Sequence, residues 1–483
     1  MAKSAKQPGT AAGAGVKRRR RAWRVPAILL ALILVAGYAA ADAADLAPGI
    51  LTTTEPWPEA EPFPEPELPA PVSGVQPPAA ADEEAPVPKA SYVQKITDQL
   101  AGRDPLDGDP GAVVVDVASG KELVSRNAAE AYVPASSLKI LVAMAALEVY
   151  GADHQFTTEA VGNGQGEVTL VAGGDLTLAA GEGDPDAVVG HAGLADLAED
   201  VAASLQEQGR SSVHLALDDT LFTGPQLAPH WGDVDLSGGW AMPMAPIAVD
   251  IGQLEGHRAR STDAAKDAAQ AFAKALRDQG ITVDGDITRA QAPEEAEQLG
   301  AVKSAELGRI VDYTLRHSEN VLSETLGRMT AVGTDHEASF AGAGKAVLSV
   351  LKDLGLDVSS AELVDTSGLS SLDRVTPTLL VQALKLVTDG EHPQFLSVAN
   401  GLPVAGLDGT LSGRLDDGAA TGMLRAKTGT LTQAVSLSGF VTTADGRLLA
   451  FAVVANGFEV GNVGAVRGAV DKWAGALAAC GCS

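Results

Sequence analysis

The chain has 483 residues, enough for two or three domains and a well-buried core. Lys and Arg number 35 against 62 Asp and Glu, a formal charge of −27. This excludes a nucleic-acid binder of the ordinary kind, because phosphate recognition needs clustered cations. The acidic balance promises solubility instead.

The N-terminal 44 residues differ in character. In "KRRRRAWRVPAILLALILVAGYAAADAA" a basic cluster precedes an apolar run from Val25 to Ala41. That order is expected of an export signal, with Lys17 to Arg24 kept in the cytoplasm and everything after residue 44 outside. The run is long for a signal-peptide core and just enough for a membrane span, so residues 1–44 read as either a signal peptide or a membrane anchor. These 44 residues carry eight Lys/Arg and one Asp, leaving 27 cations against 61 anions in the remainder.

Residues 45–90 include "LTTTEPWPEAEPFPEPELPAPVSGVQPPAAADEEAPVPK", too rich in Pro and Glu for a core and expected to be a linker. In polyproline II it would reach roughly 120 Å, at about 3.1 Å per residue. Folded sequence opens with "GAVVVDVASGKELVSRN", a hairpin turning at Ala118-Ser119-Gly120. The stretch "VPASSLKILVAMAALEVYG" then predicts a helix from Val133, with Ser136 and Lys139 three apart on one face of its first turn.

From 157 to 303 the pattern mixes short strands with Gly/Asp-rich turns. One clear helix, "DAAKDAAQAFAKALRDQG", ends near Gly280. Towards the C-terminus "LRAKTGTLTQAVSLSGFVTTADGRLLAFAVVANG" gives three strands, the last pair turned at Asp445-Gly446. Val463 to Ala479 closes the chain as an amphipathic helix. Strands at both ends predict a mixed sheet built from 91–156 and 304–483, with 157–303 as an inserted domain. Cys480 and Cys482 are too close in sequence for an unstrained bridge and suggest a mobile tail or an intermolecular link.

Short motifs carry little weight singly. Ser349-Val-Leu-Lys352 repeats the Ser-x-x-Lys spacing of Ser136 and Lys139, and Ser125-Arg-Asn127 repeats that of Ser318-Glu-Asn320. A helix face or a surface polar pair explains either. Lys427-Thr428-Gly429 alone could be an ordinary turn. Their order is more informative: Ser136-x-x-Lys139, Ser318-x-Asn320, Lys427-Thr-Gly follows that of penicillin-binding proteins and serine β-lactamases.

The chemistry suits that order. Serine is a weak nucleophile until a neighbour takes its proton, and a desolvated lysine near a second cation, Lys427, can do so. Ser318 would pass the proton to the leaving amine while Asn320 holds Lys139 or the substrate amide. The backbone N–H groups of Ser136 and Thr430 would receive the oxyanion. Gly429 would let substrate lie close to its strand, and Lys427 with Thr428 would grip a free carboxylate.

The chain resembles the DD-carboxypeptidases and DD-endopeptidases known as low-molecular-mass class C penicillin-binding proteins. "GGDLTL" from Gly173, "DDTLFTGP" from Asp218, "DTSGLS" from Asp365 and "LPVAGLDGTLSGR" from Leu402 look like further signatures, together spanning about 110–460. The resemblance implies an α+β transpeptidase fold, an antiparallel sheet flanked by helices with a smaller inserted domain. It implies cleavage of D-Ala-D-Ala in peptidoglycan stem peptides through a Ser136 acyl-enzyme, covalent trapping by β-lactam antibiotics, an extracytoplasmic site of action, and no cofactor. Two departures stand out. Only 178 residues, 140–317, separate Lys139 from Ser318, which predicts a shortened insertion, and Glu319 stands where Asp is common.

A serine β-lactamase shares the first half-reaction. A class A enzyme, however, places Glu-x-x-x-Asn after the second motif, whereas here Glu159 to Asn163 precedes it, and a class C enzyme wants Tyr where Ser318 stands. An inactive wall-binding protein would signal itself by loss of Ser136, Lys139 or Lys427, and all three are present.

Overall fold

The computed structural model describes residues 24–44, 46, 84–102, 104, 106 and 108–481. Most of the expected linker, part of the basic cluster and Cys482 lie outside the described residues. The chain divides into Met1–Pro78 and Ala79–Ser483. In the first unit, Arg24–Ala43 forms a helix. Among the described residues no helix is long and apolar enough to cross a membrane.

In the second unit, alternation of apolar side chains builds a five-stranded sheet. Its order is Leu424–Leu431, Ala434–Thr442, Leu448–Asn456, Gly111–Asp116, Glu122–Arg126. Every neighbouring pair is antiparallel, as the resemblance implies, which corrects the mixed sheet expected from the strand pattern alone. The reason is connectivity: three pairs are hairpins, and the first strand enters beside the last, Val113 opposite Ala452. Gly446 turns one hairpin at φ 88°, where a Cβ would be strained.

Both sheet faces are covered, so the middle strands are buried along their length. Val114, Leu437 and Phe451 face helices Ala90–Ala101 and Val463–Ala478, whose Trp473 Nε1 donates to Thr97 Oγ1 at 3.0 Å. Val113, Val115 and Ala452 face the other way, onto helix Leu138–Tyr150. That helix is apolar all round and is buried from Leu138 to Leu147, as its composition requires. Cys480 at the chain's end is buried and disulfide-bonded, which corrects the reading of a mobile tail.

Residues 157–303 build a second sheet, ordered Glu297–Lys303, Thr157–Gly162, Glu167–Val171, Ser212–Asp218, Thr282–Val283. The first and last of its long strands pair, Thr157 opposite Lys303, so the chain leaves and re-enters the main body at one place. Helices Leu194–Glu207 and Ala264–Asp278 pack on it. The second starts at Asp263, whose carboxylate accepts from the Lys266 N–H, and is followed by Gly280 at φ 83°.

Candidate active site

Ser136 lies ahead of the α-helix rather than in its first turn, as the helix expected from Val133 would have it. It lies in a 3₁₀ turn, Ala135–Ser137, and the α-helix begins at Leu138. Three residues per turn stacks i over i+3, so Lys139 Nζ reaches Ser136 Oγ at 3.0 Å. Ala135 holds a left-handed φ of 46°, a strained conformation beside the proposed nucleophile.

Lys139 is fully buried. Its Nζ also meets Asn320 Oδ1 at 2.7 Å and the Ser367 carbonyl at 2.5 Å. Burial drives its pKa down to about 8, against the pull of Asp365, Glu324, Glu319 and Asp373. Lys427, on the Leu424–Leu431 strand, is also fully buried; burial and the neighbouring Lys139 and Arg414 hold it well below the usual lysine range.

Ser318 ends helix Leu307–His317 in a left-handed conformation, φ 56°, and Asn320 opens helix Asn320–Gly333. This tight reversal points Ser318 Oγ at Lys427 Nζ, 2.8 Å away, and Asn320 at Lys139. Two sets of polar contacts therefore meet at this turn, Ser136–Lys139–Asn320 on one side and Ser318–Lys427 on the other, joined through the Ser318–Asn320 backbone.

The strand Leu424–Leu431, expected to bind substrate, differs in detail from expectation. Lys427 Nζ donates to Ser318 and to the Thr428 carbonyl at 2.9 Å, so its contacts are internal. Thr428 Oγ1 donates to Thr410 Oγ1 at 2.8 Å, while Thr430 is exposed. The close approach at Gly429 is to protein, not to an open cleft. A Cβ there would lie 2.9 Å from the Ala135 Cβ and from the Pro134 carbonyl, and would collide with Ser436 Oγ. Glycine is needed so that this strand can touch the turn carrying Ser136.

Glu319, the departure noted in the second motif, pairs with Arg260 of the 157–303 segment at 2.8 Å and also caps the Val321 N–H. Arg260 further donates to the Gly239 and Ile251 carbonyls, and Asn320 Nδ2 donates to the Trp240 carbonyl at 2.9 Å. The segment thus clamps the Ser318–Asn320 turn. Between them opens a cavity of about 390 Å³ that includes Trp240, His257, Arg258, His317 and Ser318. No motif marks Trp240 or Arg260, since their partners in the Ser318–Asn320 turn lie about 60 to 80 residues away. Glu324 and Thr410 were equally silent, although Thr410 lies within the Leu402 signature.

The bland matches stay apart. Ser349 is exposed on helix Phe340–Asp353, and Ser125 lies in the edge strand Glu122–Arg126. His317 packs against Tyr313, ring centres 4.4 Å apart and planes tilted by 41°.

The model of the D-Ala-D-Ala carboxypeptidase 3 (S13) family matches residues 92–260 and 255–477. A carboxypeptidase of Mycobacterium tuberculosis is 36% identical over 433 residues, covering 87% of this chain and 90% of its own. A D-alanyl-D-alanine carboxypeptidase of Actinomadura sp. is 31% identical, covering 72% and 77%. Among solved structures, penicillin binding protein 4 of Haemophilus influenzae superposes with a TM-score of 0.64 at 22% identity, over 79% of this chain and 97% of its own, which establishes the shared fold. With the family model covering both the Ser136 and the Lys427 halves of the site, the chain belongs to the D-Ala-D-Ala carboxypeptidase 3 (S13) family.

Proposed function

We propose that this protein is a serine DD-peptidase that cleaves the D-Ala-D-Ala bond of peptidoglycan stem peptides through an acyl-enzyme on Ser136. The observation that carries the reading is the buried Lys139 amine, 3.0 Å from Ser136 Oγ with its pKa brought down to about 8. Such an amine is unprotonated often enough near neutral pH to take the serine proton.

In this reading Ser136 Oγ attacks the carbonyl of the penultimate D-Ala as its proton passes to Lys139. The oxyanion lies against the backbone N–H groups of Ser136 and Thr430. Ser318, joined to Lys427 at 2.8 Å, delivers a proton to the departing D-Ala nitrogen, and Asn320 fixes Lys139 and the substrate amide. The departing carboxylate is received by the Thr428 and Thr410 hydroxyls, with the charge of Lys427 behind them. Water then releases the peptide and restores Ser136. A β-lactam enters the same first step, and its ring-opened acyl group remains on Ser136.

The four groups Ser136, Lys139, Ser318 and Lys427 come from 91–156 and 304–483, which supports reading these as one catalytic domain and 157–303 as an insertion, shortened within the family. The enzyme works outside the cytoplasm, exported by the segment before residue 44.

A fluorescent penicillin tests the assignment, followed by assay of D-alanine release from a pentapeptide. Ser136→Ala is expected to abolish labelling and release, whereas Ser349→Ala leaves both intact. Labelling that survives Ser136→Ala would remove Ser136 as nucleophile.

A further inference from the structure

Among the described residues Lys139 hydrogen-bonds to no carboxylate. Its three acceptors, Ser136 Oγ, Asn320 Oδ1 and the Ser367 carbonyl, are all neutral oxygens. The shortest of these contacts, at 2.5 Å, leads elsewhere. The Ser367 carbonyl belongs to the same peptide group as the Gly368 N–H, and that N–H donates to Asp365 Oδ1 at 2.7 Å. One amide therefore joins a buried amine to a buried carboxylate. An amide whose N–H meets an anion is a stronger acceptor at its carbonyl.

The loop around this amide is over-determined. Asp365 Oδ1 also accepts from the Ser367 N–H at 3.1 Å, and Oδ2 accepts from the Ser370 N–H at 2.7 Å and Trp231 Nε1 at 3.0 Å. Glu324, fully buried, accepts from the Ser367 N–H at 2.8 Å and from Thr366 Oγ1 at 2.8 Å. Gly368 holds φ 77°, and a Cβ there would lie 3.2 Å from the Ser136 nitrogen and collide with the Ala135 carbonyl. The loop is thus pressed against the turn that carries the nucleophile.

We infer that Asp365 is a positioning residue for Lys139, acting through the Ser367–Gly368 peptide to hold the amine against Ser136, with Glu324 bracing the same loop. The inference rests on Lys139 being the base. Asp365 also supplies charge: among the groups facing Lys139, Asp365, Glu324, Glu319 and Asp373 favour its ammonium form. Lys427 opposes them with Arg414 beyond it, Arg260 is engaged by Glu319, and Arg328 lies near Glu324. Burial and Asp365 push the Glu324 carboxyl up to about 7, close to Lys139, so its charge on the acid limb is partial and its removal matters less than that of Asp365.

The test is the pH dependence of acylation by a fluorescent penicillin, measured on the whole protein for wild type, Asp365→Asn and Glu324→Gln. Removing a negative charge that favours the ammonium lowers the Lys139 pKa. The acid limb of the profile should therefore move to lower pH, by roughly one unit for Asp365→Asn and less for Glu324→Gln. The plateau rate should fall about 10-fold or more as the amine loses its fixed acceptor. A loop that merely supports folding would lower the amount of competent protein and leave the limb in place. In Asp365→Asn the amide oxygen can still accept from the Ser367 and Gly368 N–H groups, but its NH2 then faces the Ser370 and Trp231 donors; if that variant fails to unfold cooperatively, Glu324→Gln decides alone. An unmoved limb in every folded variant overturns the inference. A wild type that takes no label contradicts the proposed peptidase activity instead.

Discussion

Lys139 shows how much a single burial can change. With an ordinary lysine pKa of 10.5, about one amine in a thousand is neutral at roughly pH 7.5; at about 8, roughly a quarter are. The acylation rate should therefore rise about tenfold per pH unit below the Lys139 pKa and level off above about 8. The direction follows from the base being the unprotonated form. Lys139→Ala should slow acylation by about 10²–10⁴-fold while the variant still unfolds cooperatively, and near-normal acylation would show that another group accepts the proton. The spacing of Ser136 and Lys139 was legible because an i, i+3 pair meets on any helical turn. The partners that set the lysine's pKa were not, because Asp365, Glu324 and Asp373 reach it through the folding of distant loops.

At the scale of elements, the site is a junction between the 3₁₀ turn at Ser136, the reversal at Ser318–Asn320 and the strand at Lys427. Local pattern revealed each element but not how closely they would pack. Gly429 shows the difference: it read as room for substrate and is in fact contact between strand and turn. Gly429→Ala should overpack this contact, costing about 1–3 kcal/mol in stability by denaturant unfolding and lowering acylation as the turn shifts. Unchanged acylation would mean that the turn tolerates displacement. The Arg260–Glu319 pair makes the same point for the insertion. Side chains only 6% and 14% exposed make it a largely buried ion pair, whose single-sided loss costs about 3 kcal/mol. Arg260→Met should destabilise the fold and slow acylation. Adding Glu319→Gln should recover part of the stability, since the stranded carboxylate is gone. If the double variant is less stable than Arg260→Met by the full cost of a second independent change, the two side chains do not act as a pair.

For the whole molecule, the order of strands explains why the catalytic body is split in sequence. Gly111–Asp116 lies between Glu122–Arg126 and the C-terminal Leu448–Asn456, so the main sheet closes only when both ends of the chain meet. The sequence pattern revealed strands at both ends; it could not reveal that all would be antiparallel, because apolar runs buried on both faces look alike in either pairing. Every residue with a proposed chemical role lies within Ala79–Ser483, and most of the Pro/Glu-rich stretch precedes that unit. This separation gives a prediction about location and activity together. Protease added to intact protoplasts should cut within 45–83 and free a fragment that takes up fluorescent penicillin at the rate of the whole protein. Its 27 cations against 61 anions in everything after residue 44 leave little electrostatic attraction to an anionic surface, so the freed fragment should stay in the supernatant. Label found in the medium before any protease is added would mean that the N-terminal segment is removed during export. Complete protection of the chain would place it in the cytoplasm, away from stem peptides. A freed fragment that acylates slowly would give the N-terminal segment a part in catalysis, against the convergence of Ser136, Lys139, Ser318, Asn320 and Lys427 within the second unit.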